Sequence, residues 1–169
     1  EDIAEACNLR CPTCFTDSSP DLRNVVPVAE VLANVDQRLA RENGRLDVLM
    51  LSGGEPTLHP DLAELLDELT RRPITRILIN TNGVRIATDD ALLQLISSHR
   101  QRVEVYLQYD GLSEAAHRHH RGGDLRRLKQ QVLQRLSSQQ IFTTLVMAAA
   151  LGVNDNEIGD MVQLALGTP

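Results

Sequence analysis

Four short apolar runs, each followed by an amphipathic stretch with helical spacing, recur along this chain. The runs are Leu46–Leu51, Ile74–Asn80, Val103–Tyr109 and Ile141–Met147. Segments of this length, rich in branched apolar residues, read as buried strands. Their starts recur at intervals of roughly 30 residues or somewhat more, the length of one strand-crossover-strand unit. A further short strand is predicted over Asp2–Glu5, ahead of the four. Alternation of this kind predicts an α/β fold, a parallel sheet with helices packed outside it.

The predicted helices have readable starts and faces. Val28–Glu42 follows Pro27 and is stopped by Gly44, which suits the two ends of a helix. Pro60–Arg72 carries Leu62, Leu65, Leu66 and Leu69 on one face and ends at Pro73. Asp89–His99 repeats the pattern with Ala91, Leu92, Leu95 and Ile96, and Asp124–Ser138 with Leu125, Leu128, Val132 and Leu136. Asp155–Leu166 presents Ile158, Met161, Val162 and Ala165. No long linker, low-complexity tract or domain boundary interrupts the series, and 169 residues suffice for one domain with a sizeable core. Aromatic residues are confined to Phe15, Tyr106, Tyr109 and Phe142, so that core must be aliphatic.

A net charge of −6 gives no electrostatic case for binding nucleic acid or an anionic membrane. No apolar run approaches the roughly 20 residues of a membrane span, and no basic-then-apolar signal opens the chain. The first residue is Glu1 rather than Met, and Gly167-Thr168-Pro169 reads as a turn before another element. The sequence is therefore read as a piece of a longer protein.

All three cysteines fall in one run, Cys7-Asn-Leu-Arg-Cys11-Pro-Thr-Cys14, just past the first predicted strand. Three thiolates on one short loop suit a [4Fe-4S] cluster with one iron left open, whereas structural zinc sites ordinarily need four protein ligands. An odd, tightly grouped set also argues against a disulfide framework, and reduced cysteines favour the cytosol. In parallel strand-helix folds, sites form at the carboxyl ends of the strands. The other polar motifs fall there too: Gly53, Gly54 and Glu55, then Asn80 to Gly83, then Gln108 to Asp110. Glycines let backbone approach a ligand closely, and the Glu55 carboxylate suits an ammonium group. Asn80 and Asn82 share a strand face by alternation, and Asn82-Gly83 is also a good turn signal. In the fourth strand, Val103, Val105, Leu107 and Tyr109 suit packing against helices. Glu104, Tyr106, Gln108 and Asp110 suit a polar interior. The segment His117–Gly123 reads as a solvated loop entering the next helix, and His59 as part of a helix start. Asn154 reads equally as a helix cap or a site residue.

Cys7, Cys11 and Cys14, followed by Ser52-Gly53-Gly54-Glu55-Pro56, Asn80-Thr81-Asn82-Gly83, Gln108-Tyr109-Asp110-Gly111 and Gly152-Val153-Asn154-Asp155, resemble the radical S-adenosylmethionine (SAM) enzymes over nearly the whole chain. The pattern is similar to a branch with archaeal-type radical methylases and tetraether-lipid carbon-coupling enzymes. It is similar, more distantly, to molybdenum-cofactor synthases and peptide-modifying maturases. The resemblance implies a partial TIM-like barrel of six strand-helix units. Residues 1–169 would supply about five of them, an incomplete core domain without the last strand and any C-terminal extension, leaving an open edge. It also implies that Cys7, Cys11 and Cys14 hold the [4Fe-4S] cluster, whose open iron binds the amino and carboxylate groups of SAM.

Reductive cleavage of SAM would then give a 5′-deoxyadenosyl radical that abstracts hydrogen from an unreactive C–H, in methylation or carbon–carbon coupling. Gly53, Gly54 and Glu55 look like the site for the methionine amino group. Asn80, Asn82, Gln108 and Asp110 would meet SAM polar groups, the last two near the ribose. Arg121 is the candidate for the SAM carboxylate, and Val146, Met147 and Ala148 for the adenine pocket with Asn154 at its edge. One departure is that the position before the third cysteine, often aromatic in the family, is Thr13, and Phe15 follows instead. The implied partners are a flavodoxin- or ferredoxin-type electron donor and an unnamed substrate, in the cytoplasm. The competing reading is an iron-sulfur or zinc module for binding or electron transfer, without SAM chemistry.

Overall fold

The computed structural model describes residues 1–167; Thr168 and Pro169, which complete the expected terminal turn, lie outside the described residues. Five strands form one parallel sheet in chain order: β1 (Asp2–Ala4), β2 (Leu46–Gly53), β3 (Ile74–Thr81), β4 (Val103–Gln108) and β5 (Thr143–Val146). Neighbouring strands sit in register through pairs such as Leu51 with Ile79 and Thr81 with Leu107. Their carboxyl ends therefore come out along one edge. The sheet is the α/β arrangement that the recurring runs predict. The final strand is shorter than the predicted Ile141–Met147, and its registered pairing with β4 runs from Thr143 to Val146.

Among the described residues five helices connect the strands, α1 (Val28–Arg41), α2 (Leu62–Thr70), α3 (Asp90–Ser98), α4 (Glu114–Arg121) and α5 (Arg126–Ser138), and a sixth, α6 (Ile158–Leu166), follows β5. Each of the first three buries one apolar stripe. In α1 the stripe is Val28, Val31, Val35 and Leu39, and in α2 it is Leu62, Leu65, Leu66 and Leu69. Burial of one such side chain stabilises the fold by about 1.5–3 kcal/mol. α2 begins two residues later than predicted. A single 3-10 turn, Pro56–Leu58, and a bond from the Asp61 amide to His59 Nδ1 occupy the chain first. α3 is capped by Asp89, whose carboxylate accepts from the Leu92 amide at 2.9 Å.

α4 corrects the reading of His117–Gly123 as a solvated loop. It is a two-turn helix capped by the Ser113 hydroxyl and closed by Gly122 in the left-handed region, and it buries Ala116, His117 and His120. α6 departs in the opposite sense: of its expected face only Met161 is buried, while Ile158 and Val162 stay about half exposed. Among the described residues β5 pairs with β4 alone, and no helix is long and apolar enough to cross a membrane.

Candidate active site

The loop after β1 carries the three cysteines along the carboxyl edge of the sheet. It is pinned by the Cys7 amide bonding to the Ser19 carbonyl and by the Cys14 amide bonding to the Cys11 carbonyl. Cys7, Cys11 and Cys14 are free, half-buried thiols and line one cavity of about 180 Å³, together with Thr13, Phe15, Gly53, Gly54, Asn80, Asn82, Gln108, Arg121 and Ala148. Among the described residues, no three His, Cys, Asp or Glu side chains converge closely enough to hold a single metal ion. Burial pushes the Cys7 thiol up. Burial also opposes ionisation of Cys14, but hydrogen bonds from the Thr16 hydroxyl and the amides of Thr16, Ser18 and Asp17 outweigh it and bring that thiol down.

Gly53 and Gly54 are glycines for a reason that the sheet makes plain. The end of β2 lies flush against the segment that leads into Cys7, with the Gly54 amide 2.6 Å from the Ala4 carbonyl and the Glu55 amide 2.9 Å from that of Ala6. A Cβ on Gly53 would stand 2.2 Å from Ala4 O, and one on Gly54 2.4 Å from Ala6 O. Gly53 also has φ 120°, outside the range of ordinary side-chain-bearing residues.

Glu55 does not line the cavity. Its carboxylate is buried and accepts four hydrogen bonds. Oε1 receives the Thr57 amide at 3.1 Å, the Thr57 hydroxyl at 2.6 Å and the Thr81 hydroxyl at 2.7 Å, while Oε2 receives the Asn82 amide at 2.8 Å. Glu55 thus joins the end of β2 to the end of β3 and keeps free acceptor capacity only on Oε2.

A polar chain then crosses the strand ends. Asn80 donates to Ser52 Oγ at 3.3 Å and accepts from Gln108 Nε2 at 2.6 Å. Gln108 Oε1 accepts from Arg121 at 3.1 Å. Arg121 forms a bidentate pair with Asp110 at 2.5 and 2.9 Å, and its other terminal nitrogen lies 3.8 Å from Cys11 Sγ. The expected carboxylate-binding arginine is therefore at the cavity and already holds a carboxylate of its own chain. Burial works against the ionised Asp110, but the Arg121 guanidinium wins and holds its pKa below the usual range. Asp110 itself is fully buried and does not reach the cavity wall.

Asn82 makes the turn that Asn82-Gly83 signals and also lines the cavity. Its Oδ1 accepts from the Val84 amide to close the turn, and its Nδ2 bonds Asn8 at 2.7 Å and lies 3.9 Å from Cys7 Sγ. Asn154 makes no capping bond. Buried away from the cavity, it ties the loop after β5 to the end of β4 by accepting from the Ala150 amide and donating to the carbonyls of Asp110 and Ala148. In the fourth strand the two faces separate as alternation predicts, with Val103, Val105, Leu107 and Tyr109 in the core.

Three buried groups near the site were not legible as such. His120 touches Thr13 Oγ1 through Nδ1 at 3.2 Å and Asn154 Nδ2 through Nε2 at 3.4 Å, linking the cysteine loop to the loop after β5. Glu157 accepts from the amides of Leu112 and Ser113 at the start of α4. Lys129 is fully buried on α5. The signal for Lys129 was its identity: every other Lys or Arg in the chain is arginine.

Comparison with known proteins identifies the family. The pattern of the Radical SAM superfamily matches residues 3–165. The 7,8-dihydro-6-hydroxymethylpterin dimethyltransferase of Methanocaldococcus jannaschii is 30% identical over 166 residues, which are 97% of this chain and 32% of that protein. The antilisterial bacteriocin subtilosin biosynthesis protein AlbA of Bacillus subtilis is 27% identical over 164 residues, 96% of this chain and 35% of that protein. The chain thus spans about one third of the length of these relatives. Streptococcus suis SuiB, solved bound to S-adenosylmethionine, superposes with a TM-score of 0.75 at 19% identity, over 99% of this chain and 37% of that one. That likeness shows the fold. The cysteine run, the flush glycine pair and the family match converge on one conclusion: this chain belongs to the radical SAM superfamily.

Proposed function

We propose that the protein binds a [4Fe-4S] cluster through Cys7, Cys11 and Cys14 and uses it to cleave SAM reductively, for hydrogen abstraction from an unreactive C–H of a substrate. The observation that carries this reading is the single cavity lined by three free thiols and by the glycine pair that ends β2. When bound, the cluster supplies the one electron that breaks the sulfonium carbon–sulfur bond, giving methionine and a 5′-deoxyadenosyl radical. The remaining work belongs to the chain. Gly53 and Gly54 expose backbone to a ligand in the cavity. Asn80, Asn82 and Gln108 present amides to its polar groups. Arg121 brings a cation beside Cys11, and Glu55, which lies behind the glycine pair rather than in the cavity wall, would meet an ammonium only through the acceptor capacity left on Oε2. Asp110 and Asn154 act one step back, by holding Arg121 and the loop after β5. Ala148 lines the wall where adenine is expected, and Thr13 presents its backbone rather than an aromatic ring.

Methylation or carbon–carbon coupling is the reaction class we favour, in keeping with the name of the pterin dimethyltransferase relative. A flavodoxin- or ferredoxin-type donor and a reducing, cytoplasmic setting suit three unpaired thiols. One observation favours the electron-transfer alternative: Glu55 and Arg121 are both engaged by groups of the chain itself. Anaerobic reconstitution of the full-length protein with iron and sulfide, then dithionite and SAM, decides between them by chromatography for 5′-deoxyadenosine. Product that Cys11→Ala abolishes and Glu55→Ala sharply reduces is the expected result. A well-formed cluster that neither binds nor cleaves SAM would establish the electron-transfer reading instead.

A further inference from the structure

Lys129 is the one lysine of the chain and has no solvent exposure. Its Nζ donates to the Asn82 carbonyl at 2.6 Å and to the Gln108 carbonyl. These oxygens lie one residue past the last registered pair of β3 and β4, Thr81 with Leu107. At the carboxyl edge of a parallel sheet such carbonyls have run out of strand partners, and buried carbonyls need donors. A neutral amide or hydroxyl donor would meet that need. An ammonium is the costlier choice, because a buried charge is strongly disfavoured unless it is compensated. Among the described residues no carboxylate lies within ion-pairing distance of it. The charges that act on it are Arg121, which repels it, and Asp110, Glu55 and Cys11, which favour its charged form. Burial and Arg121 together lower its pKa to about 8, so it remains mostly protonated at neutral pH.

The two residues it grips both line the cysteine cavity. Asn82 reaches Asn8 and Cys7, and Gln108 reaches Asn80 and Arg121. Glu55 and Asp110 place carboxylates behind the cavity, and Arg121, which pairs with Asp110 and lies beside Cys11, answers only part of that charge. We propose that Lys129 is a second buried countercharge of the cysteine cavity, set behind Arg121, and a positioning residue that holds Asn82 and Gln108 by their carbonyls. This inference rests on the cluster reading given above. A fixed positive charge in a low-dielectric interior acts over distance with little salt screening. It favours the reduced, more negative state of any redox group that the cysteines hold, so Lys129 makes that group easier to reduce.

Lys129→Gln separates charge from hydrogen bonding, since its amide still donates toward the two carbonyls; Lys129→Met removes both. Full-length wild-type and variant proteins are reconstituted with iron and sulfide, and the cluster is titrated against redox mediators by electron paramagnetic resonance. Circular dichroism and thermal melts run alongside. We expect the reduced-to-oxidised ratio at a set potential to fall about tenfold in Lys129→Gln, a midpoint about 59 mV more negative for one electron, with the fold retained. Lys129→Met should shift in the same direction, and it carries the test if Lys129→Gln does not fold. An unchanged midpoint in folded, cluster-bearing variants overturns the countercharge role. Wild-type protein that takes up no iron, seen directly in its absorbance, overturns the cluster reading and this one with it.

Discussion

At the scale of single residues, the site is built by contacts that leave almost no room. Gly53 combines φ 120° with a carbonyl 2.2 Å from where its Cβ would stand, and that carbonyl is backbone, so it cannot swing aside. Gly53→Ala is expected to cost about 1–3 kcal/mol in urea unfolding and to displace the segment leading into Cys7. A variant within about 0.5 kcal/mol of wild type would mean that β1 yields freely and the flush packing is not required. The same reasoning shows what the sequence could disclose. Cys7, Cys11, Cys14, Gly53 and Gly54 are legible because few chemistries want thiols and glycines at those spacings. The engagement of Glu55 by Thr57, Thr81 and Asn82 was not, because hydroxyl and amide partners leave no pattern in composition. Arg121 was legible as a carboxylate binder, but the carboxylate it holds, Asp110, could be paired with it only once α4 had folded over the end of β4.

At the scale of elements, strands and the long amphipathic helices were readable because burial imposes a period. α4 was not, since Glu114-Ala-Ala-His-Arg-His-His-Arg121 has no apolar stripe. It buries imidazoles instead: His120 meets polar atoms at both ring nitrogens, whereas His117 meets the Gly111 carbonyl through Nε2 and its buried Nδ1 has no partner. That choice carries a pH dependence. Burial holds the pKa of His120, and likewise of His117, below the ordinary value near 6.5, so both are neutral in the folded chain at neutral pH. Below about pH 6.5 the unfolded chain binds more protons than the folded one, so stability falls as pH falls through that window and is fully present above it. Thermal midpoints measured between pH 5 and 8 should show this loss, and His120→Gln should flatten it. Wild-type and variant curves of equal slope would mean that His120 titrates like an exposed imidazole.

At the scale of the whole molecule, support for the site is uneven. β2, β3 and β4 pair along long registers in the middle of the sheet. β1 offers only three residues and a register shift, although it launches the cysteine loop. Local opening follows such differences, since segments with few buried contacts exchange amide hydrogen fastest. The cysteine loop hangs on side-chain ties: Asn82 to Asn8, His120 to Thr13, and Arg121 beside Cys11. Three of its own residues are the proposed cluster ligands, and a group that binds the folded form stabilises what it touches. Hydrogen exchange by mass spectrometry should therefore show residues 2–16 exchanging well ahead of the β3 and β4 ladders in cluster-free protein. On anaerobic reconstitution, protection should rise in that loop and in α4, which carries Arg121 and His120, while the β3 and β4 ladders change little. A uniform rise across the sheet would mean instead that the metal-free chain is globally loose and that the cavity forms only when it is filled.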